Sequence, residues 1–388
     1  MEYFIDLYYD SLFHDGEELC GDNVEFIREQ DYCILVLADG LGSGVKANIL
    51  STLTSKIIIT MLKEGATLEE AIETIAKTLP ICQERGIAYS TFTIVRIDNS
   101  GEVFIAEFDN PAALHYKDGF LTDIERQTLT IYDKEVMISR FQAEAGDMII
   151  TFSDGVVHAG VGCLLDLGWQ YDNAVDFITD SVMKDTSPRS ITQGILDAVN
   201  TLYMQKPGDD STVCTLLVKE NRPATVMVGP PVDAQKDAEV VQRLLSAKGY
   251  KVVCGGTTSN IVSRVSGREL TVSIDYENPA IPPTATIEGI DLVTEGVLTL
   301  GKCLEIIKKL NSPNGYEAYA LNKKDGASRL AKMFLDESTQ VCFLVGRALN
   351  PAHQNPGMPL SLGLKLNIIK ELAAEIQKTG KLVSIEYY

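Results

Sequence analysis

Four short acidic stretches hold the residue types on which metal-assisted hydrolysis depends. "LADGLGSG" places Asp39 at the end of an apolar run, followed by Gly40, Gly42 and Gly44 and then at once by a helical pattern. "CGDN" holds Asp22 shortly before a strand-like run, "TFSDGV" holds Asp154 just after one, and "GDDSTVCTLLV" holds Asp209 and Asp210 just before another. A glycine-rich turn between strand and helix suggests phosphate binding, yet a GxGxxG reading that takes Gly40 and Gly42 fails at Val45. A carboxylate at the mouth of such a turn also repels a phosphate unless a cation stands between them. Aspartate and glycine are common turn residues, so each stretch alone reads equally as turn chemistry. Together, four carboxylates at strand ends supply oxygen donors for two hard divalent cations, and Gly40, lacking a side chain, lets its carbonyl approach a metal.

The elements that must position these residues alternate unevenly. "EYFIDLYYDS", "VEFIRE" and "YCILVLAD" read as strands, and a helix runs from about Ser43 to Glu64 on Leu50, Leu53, Ile57 and Met61. A second helix at "TLEEAIETIAKTL" opens on a capping box made by Thr67 and Glu70. Strands follow at "YSTFTIVRID", "EVFIAEF", "AALHYKDG", "TLTIYDKEV" and "DMIITFSDG", then two helices and a closing strand, "STVCTLLVKE". Strand runs with helices set apart predict an α+β sandwich over residues 1–220. "ENRPAT" reads as a linker, and residues 223–388 alternate strand and helix as a smaller α/β domain with a partly parallel sheet.

The 388 residues carry 54 acidic and 34 basic side chains, a net charge of -20 that repels an extended phosphate backbone and argues against nucleic acid as a partner. Apolar stretches such as "CILVLA" and "IIITML" fall short of the roughly 18 residues a membrane span needs, and "MEYFIDLYYD" lacks the pattern of a secretory signal. A cytoplasmic protein without a membrane partner is the expectation. Eight cysteines without a CxxC pair read as buried thiols, and with four histidines in the chain a metal site must lean on oxygen, which favours magnesium, manganese or calcium over zinc.

"ADGLGSG" opening a helix, "FSDGV" and "DDST" in this order, with "CGD" upstream, resembles the metal-dependent serine/threonine protein phosphatases (the PPM family), specifically their bacterial SpoIIE-type branch. The resemblance spans most of residues 1–220, including "YSTFTIVRID" and "FDNPAALHYKDG". It implies a four-layer αββα sandwich with a centre of two divalent cations, manganese or magnesium, at one edge. By the same resemblance Asp39 bridges both metals, the Gly40 carbonyl completes a site, Asp154 and Asp209 hold the second metal, and Asp22 acts near the first. Asp210 then orients its turn. The implied reaction is hydrolysis of phosphoserine or phosphothreonine by water activated between the cations, with Asp22, Asp39, Asp154 and Asp209 as the catalytic set. In the SpoIIE-type branch the helices after the first motif form a switch that governs metal binding. Leu41 stands where eukaryotic relatives place a histidine, and "HDGEELCGD" offers no counterpart to their phosphate-binding arginine.

His158 is weighed as a proton donor at the rim against a structural or incidental role, which the residue alone favours, and Ser90 and Thr91 as hydrogen-bonding near the site against strand packing, which is favoured. In the second domain "CGGTTSN" offers a ligand loop, Gly255, Gly256, Thr257, Thr258 and Ser259, that reads equally as turn and cap chemistry. The implied substrate is a phosphorylated bacterial regulatory protein of the kind that antagonises anti-sigma factors. The alternative is a phosphatase-like signalling scaffold with little or no turnover, whose second domain binds a ligand or partner. The oligomeric state is not legible.

Overall fold

"CILVLA" is apolar at every position because the strand that contains it, β3 (Tyr32–Gly40), is buried on both faces. In the computed structural model, which describes residues 3–29, 31–78, 90–131, 134–272, 282–312, 321, 323–348 and 360–388, contacts divide the chain into two units, Met1–Glu220 and Asn221–Tyr388. β3 lies in a six-stranded antiparallel sheet with β2 (Asp22–Arg28), β4 (Ser90–Asp98), β5 (Glu102–Phe108), β8 (Gln127–Ile131) and β9 (Lys134–Gln142), in the order β2-β3-β4-β5-β9-β8. A five-stranded sheet is built from β1 (Tyr3–Leu12), β6 (Leu114–Lys117), β7 (Phe120–Thr122), β10 (Met148–Phe152) and β11 (Ser211–Glu220), in the order β1-β11-β10-β6-β7.

Ile5, Leu35, Leu37, Val95, Ile149 and Leu216 meet between the two sheets. On the outer face of the larger sheet, α1 (Gly44–Lys63) and α2 (Leu68–Thr78) bring Ile58 and Ile72 against Ile34 and Ile94. On the outer face of the smaller one, α4 (Tyr171–Lys184) and α5 (Pro188–Leu202) bring Ile178 and Ile195 against Ile150 and Val213. The unit is therefore an α+β sandwich of four layers, helix, sheet, sheet and helix. α1 is long and apolar enough to cross a membrane by length and composition alone, but its Leu50, Ile58 and Ile59 are buried in this unit.

Thr67 and Glu70 form the expected capping box: the Thr67 N–H donates to Glu70 Oε2 at 2.9 Å and the Glu70 N–H to Thr67 Oγ1 at 3.2 Å. Other readings need correction. "TLTIYDKEV" is two strands, β8 and the start of β9, whereas "AALHYKDG" holds the expected strand, β6, which pairs in a hairpin with β7. Asp118 and Gly119 take φ of 52° and 83°, the paired positive angles of a tight hairpin turn. Leu79 of the second helical pattern and Tyr89 of "YSTFTIVRID" lie outside the described residues.

In the second unit β12 (Ala224–Val228), β13 (Tyr250–Cys254), β16 (Leu292–Thr294), β17 (Gln340–Val345) and β18 (Leu382–Tyr387) run parallel, with β14 (Thr271–Val272) and β15 (Ala285–Thr286) antiparallel at one edge. α6 (Asp237–Leu245) and α7 (Gly256–Ser266) cover one face, and α8 (Val297–Leu310), α9 (Gly326–Lys332) and α10 (Leu360–Gln377) the other. Three residues of β16 and seven of α9 are too short to announce themselves as periodic patterns, and the sequence reading misses both.

Candidate metal centre

Antiparallel pairing sets Asp22, the first residue of β2, directly opposite Asp39 near the end of β3. The smaller sheet brings the other two carboxylates: Asp154 begins the short helix α3 (Asp154–Val157) just after β10, and Asp209 precedes β11, the strand paired with β10. Ser153 joins the sheets, its Oγ donating to Asp22 Oδ2 at 2.7 Å while accepting from the Thr212 N–H at 2.9 Å. Asp22, Asp154 and Asp209 are the charged neighbours of the Asp39 carboxyl. Gly40 is required by packing: a Cβ there would collide with the Ala47 carbonyl oxygen of α1. The first turns of α1 thus press on the strand end that carries Asp39.

The electrostatics of this rim are those of crowded, desolvated negative charge. Burial, then Asp22 and Asp154, push the Asp39 carboxyl well above its ordinary range. Asp22 is 4% exposed, and burial raises its pKa to about 7; hydrogen bonds from Thr212 and Ser153 oppose the rise, while Asp210 and Asp154 add to it. Burial and Asp154 raise Asp209 to about 6. Two buried carboxylate oxygens, Asp22 Oδ1 and Asp210 Oδ2, have no hydrogen-bond partner. Among the described residues no three His, Cys, Asp or Glu side chains form a finished cage. The chemistry nevertheless fits hard cations, because the donors are oxygens and positive charge would relieve both the orphaned oxygens and the mutual repulsion.

Asp210 ties the neighbouring loop, accepting the His14 N–H at Oδ1 at 3.0 Å. His158 lies beside Asp154, with Nε2 3.9 Å from Oδ2, so the two share the exposed lip. The Ser90 hydroxyl donates to the Asp39 carbonyl at 2.8 Å and thereby fixes that backbone, while Thr91 Oγ1 donates to Asn110 Oδ1 at 2.6 Å. The linking role of Ser153 is missed by the sequence reading; its only sequence signal is a hydroxyl beside the "DG" pair. Cys20 is a buried thiol beside Asp22 and Asp210, and burial pushes its pKa up, away from thiolate chemistry. Cys163 departs from the buried-thiol expectation and is exposed, and Cys82 lies outside the described residues.

In the second unit, Gly255 precedes α7 and its N–H donates to the Thr294 carbonyl at 2.9 Å. Thr258 Oγ1 accepts from the Gly229 N–H at 3.0 Å, and Ser259 Oγ donates to the Gly255 carbonyl at 2.9 Å. These two hydroxyls are used within the fold, and Gly256 and Thr257 are the exposed members of the stretch.

Residues 29–219 match the family described as Stage II sporulation protein E (SpoIIE). The Stage II sporulation protein E of Bacillus subtilis (strain 168) is 24% identical over 214 residues, covering 53% of this chain, which spans only 24% of that protein's length. Among solved structures, the PP2C phosphatase domain of SpoIIE from Bacillus subtilis with a fragment of its regulatory domain aligns at a TM-score of 0.49 and 19% identity, over 57% of this chain and 65% of that one. The RsbU and RsbW domains of Rv1364c from Mycobacterium tuberculosis align at 0.47 and 17% identity, over 63% and 68%.

Proposed function

We propose, on the match of residues 29–219 to the SpoIIE family and on the carboxylate rim, that the chain is a metal-dependent protein serine/threonine phosphatase acting on a phosphorylated bacterial regulatory protein in the cytoplasm. The observation that carries the reading is the convergence of Asp22, Asp39, Asp154 and Asp209 on one rim, where burial and neighbouring carboxylates raise the pKa values of Asp22, Asp39 and Asp209. Asp39, Asp154 and Asp209, with the Gly40 carbonyl, would hold two divalent cations, manganese or magnesium, with Asp22 close by. Such cations, when bound, supply an acidified water and neutralise phosphate oxygens. The chain's own part is positional. Ser153 fixes Asp22 across the two sheets, Ser90 fixes the Asp39 backbone, and His158 shares the exposed lip with Asp154.

The neighbouring loop shapes the substrate. It carries Asp15, Glu17 and Glu18, and the Glu17 carboxylate accepts from Ser43 Oγ at 3.4 Å. An acidic border favours a phosphorylated segment with basic residues near the phosphoserine or phosphothreonine.

Phosphate release is to be measured with manganese from phosphoserine, phosphothreonine and phosphotyrosine peptides, each with lysine or glutamate flanks. Faster turnover of the first two, and of lysine-flanked over glutamate-flanked peptides, supports the proposal. Manganese uptake without turnover of any peptide would favour the scaffold alternative.

A further inference from the structure

The phosphatase reading uses nothing from residues 221–388, yet that unit has the topology on which open α/β sheets bind ligands. Its parallel strands stand in the order β16-β13-β12-β17-β18. From β12 the chain steps outward to β13 and β16 with α6 and α7 on one face, then returns to β17 with α8 and α9 on the other. The direction of winding reverses between β12 and β17. At such a reversal the loops leaving the two strands part in opposite directions, and ligands bind at the carboxyl ends.

The edge at that reversal has unusual chemistry. A glycine follows each of the four central strands: Gly229 after β12, Gly255 after β13, Gly296 one residue past Glu295 after β16, and Gly346 after β17. Lys365 of α10 lies across the reversal itself. Its Nζ donates to the Gly346 carbonyl at 2.5 Å, and a Cβ on Gly229 would stand 2.5 Å from the same nitrogen. The ammonium is half-buried and, among the described residues, has one neutral acceptor and no carboxylate partner. Burial, with no charge opposing it, lowers its pKa. Two other partly buried cations are paired with carboxylates, Arg126 with Glu107 and Lys219 with Asp6. An unmatched ammonium in a partly desolvated position costs stability that a bound anion would return.

Two further features narrow the ligand. Val232, Leu298 and Leu364, which follow β12, β16 and β17 at the same edge, are large aliphatic side chains left more than half exposed. The Glu295 carboxylate accepts from the Gly296 N–H at 3.2 Å and stands 3.6 Å from where a Cβ on Gly256 would lie. An anion is therefore disfavoured at the start of α7 and directed to the Lys365 end.

We propose that the carboxyl edge of the second unit, at the β12–β17 reversal, binds a small organic oxyanion with an apolar portion, Lys365 serving as its counter-ion. Both phosphate monoesters and carboxylates have the required group. The site is separate from the carboxylate rim and stands or falls independently of phosphatase activity.

Calorimetric titration of the 388-residue chain in excess chelator tests it, with hexyl phosphate and hexanoate as probes. Saturable one-to-one binding of at least one probe is expected. It should weaken at least tenfold in Lys365→Met and persist in Asp39→Asn, and the tighter probe identifies the oxyanion. Without probe, Lys365→Met should unfold at the native temperature or above, because it removes a half-buried unmatched charge. The proposal is overturned if neither probe binds the native chain, if Lys365→Met binds equally well, or if that variant unfolds at lower temperature and the probes leave the native unfolding temperature unmoved.

Discussion

Asp22 faces Asp39 across two strands and accepts its hydrogen bond from Ser153 of the other sheet, so its ionisation is felt by both halves of the sandwich. A carboxyl whose pKa rises to about 7 on folding stays protonated in the folded chain at a pH where the unfolded chain has already released its proton. Below about pH 4 both states are protonated and ionisation costs nothing; above that the unfolded state gains, until the folded group also ionises near pH 7. The metal-free chain is therefore expected to lose stability as pH rises through this window, with the Asp39 and Asp209 shifts acting in the same direction. Denaturant melts across pH check this. Asp22→Asn should flatten the slope and stabilise the metal-free protein at neutral pH by about 1–3 kcal/mol; an unchanged slope would contradict the electrostatic account.

The element that couples to these residues is α1. Its Ala47 carbonyl faces Gly40, its Asn48 donates to the Cys20 carbonyl at 2.8 Å, and its Ser55 accepts from Asn23 at 2.6 Å, so one helix contacts the segments that carry Asp22 and Asp39. Gly40→Ala should displace α1, cost about 1–3 kcal/mol by overpacking and weaken manganese binding. Thr67→Ala, which removes a cap on neighbouring α2, should cost about 1 kcal/mol and leave manganese binding unchanged. Thermal melts and metal titrations of both variants separate strain at the site from general destabilisation. The same contrast explains what the sequence could disclose. The Thr67–Glu70 box is legible because its partners lie within one helical turn. The collision awaiting a side chain at Gly40 is not, because Ala47 reaches it only after the chain has turned and packed. Likewise the acidic stretches are visible as motifs, whereas the Ser153 bridge to Asp22 joins residues 131 positions apart. The strand order of the second unit is settled by pairings between segments as distant as β12 and β17, beyond any local periodicity.

For the whole molecule, the two units have separate cores: one fills the sandwich, and the other packs around the parallel sheet. Calorimetry of the metal-free chain should resolve two unfolding transitions, of which manganese raises one, since a ligand stabilises the cooperative unit that binds it. A single transition raised as a whole by manganese would contradict this division. The most direct test of the central claim is the uptake of Mn(II), followed by loss of the electron paramagnetic resonance signal of the free ion, in the native chain and in Asp39→Asn. Two ions bound per native chain, with uptake abolished or sharply weakened in the variant, is the predicted result. No uptake by the native chain, or equal uptake by both proteins, would contradict the carboxylate rim as a metal centre.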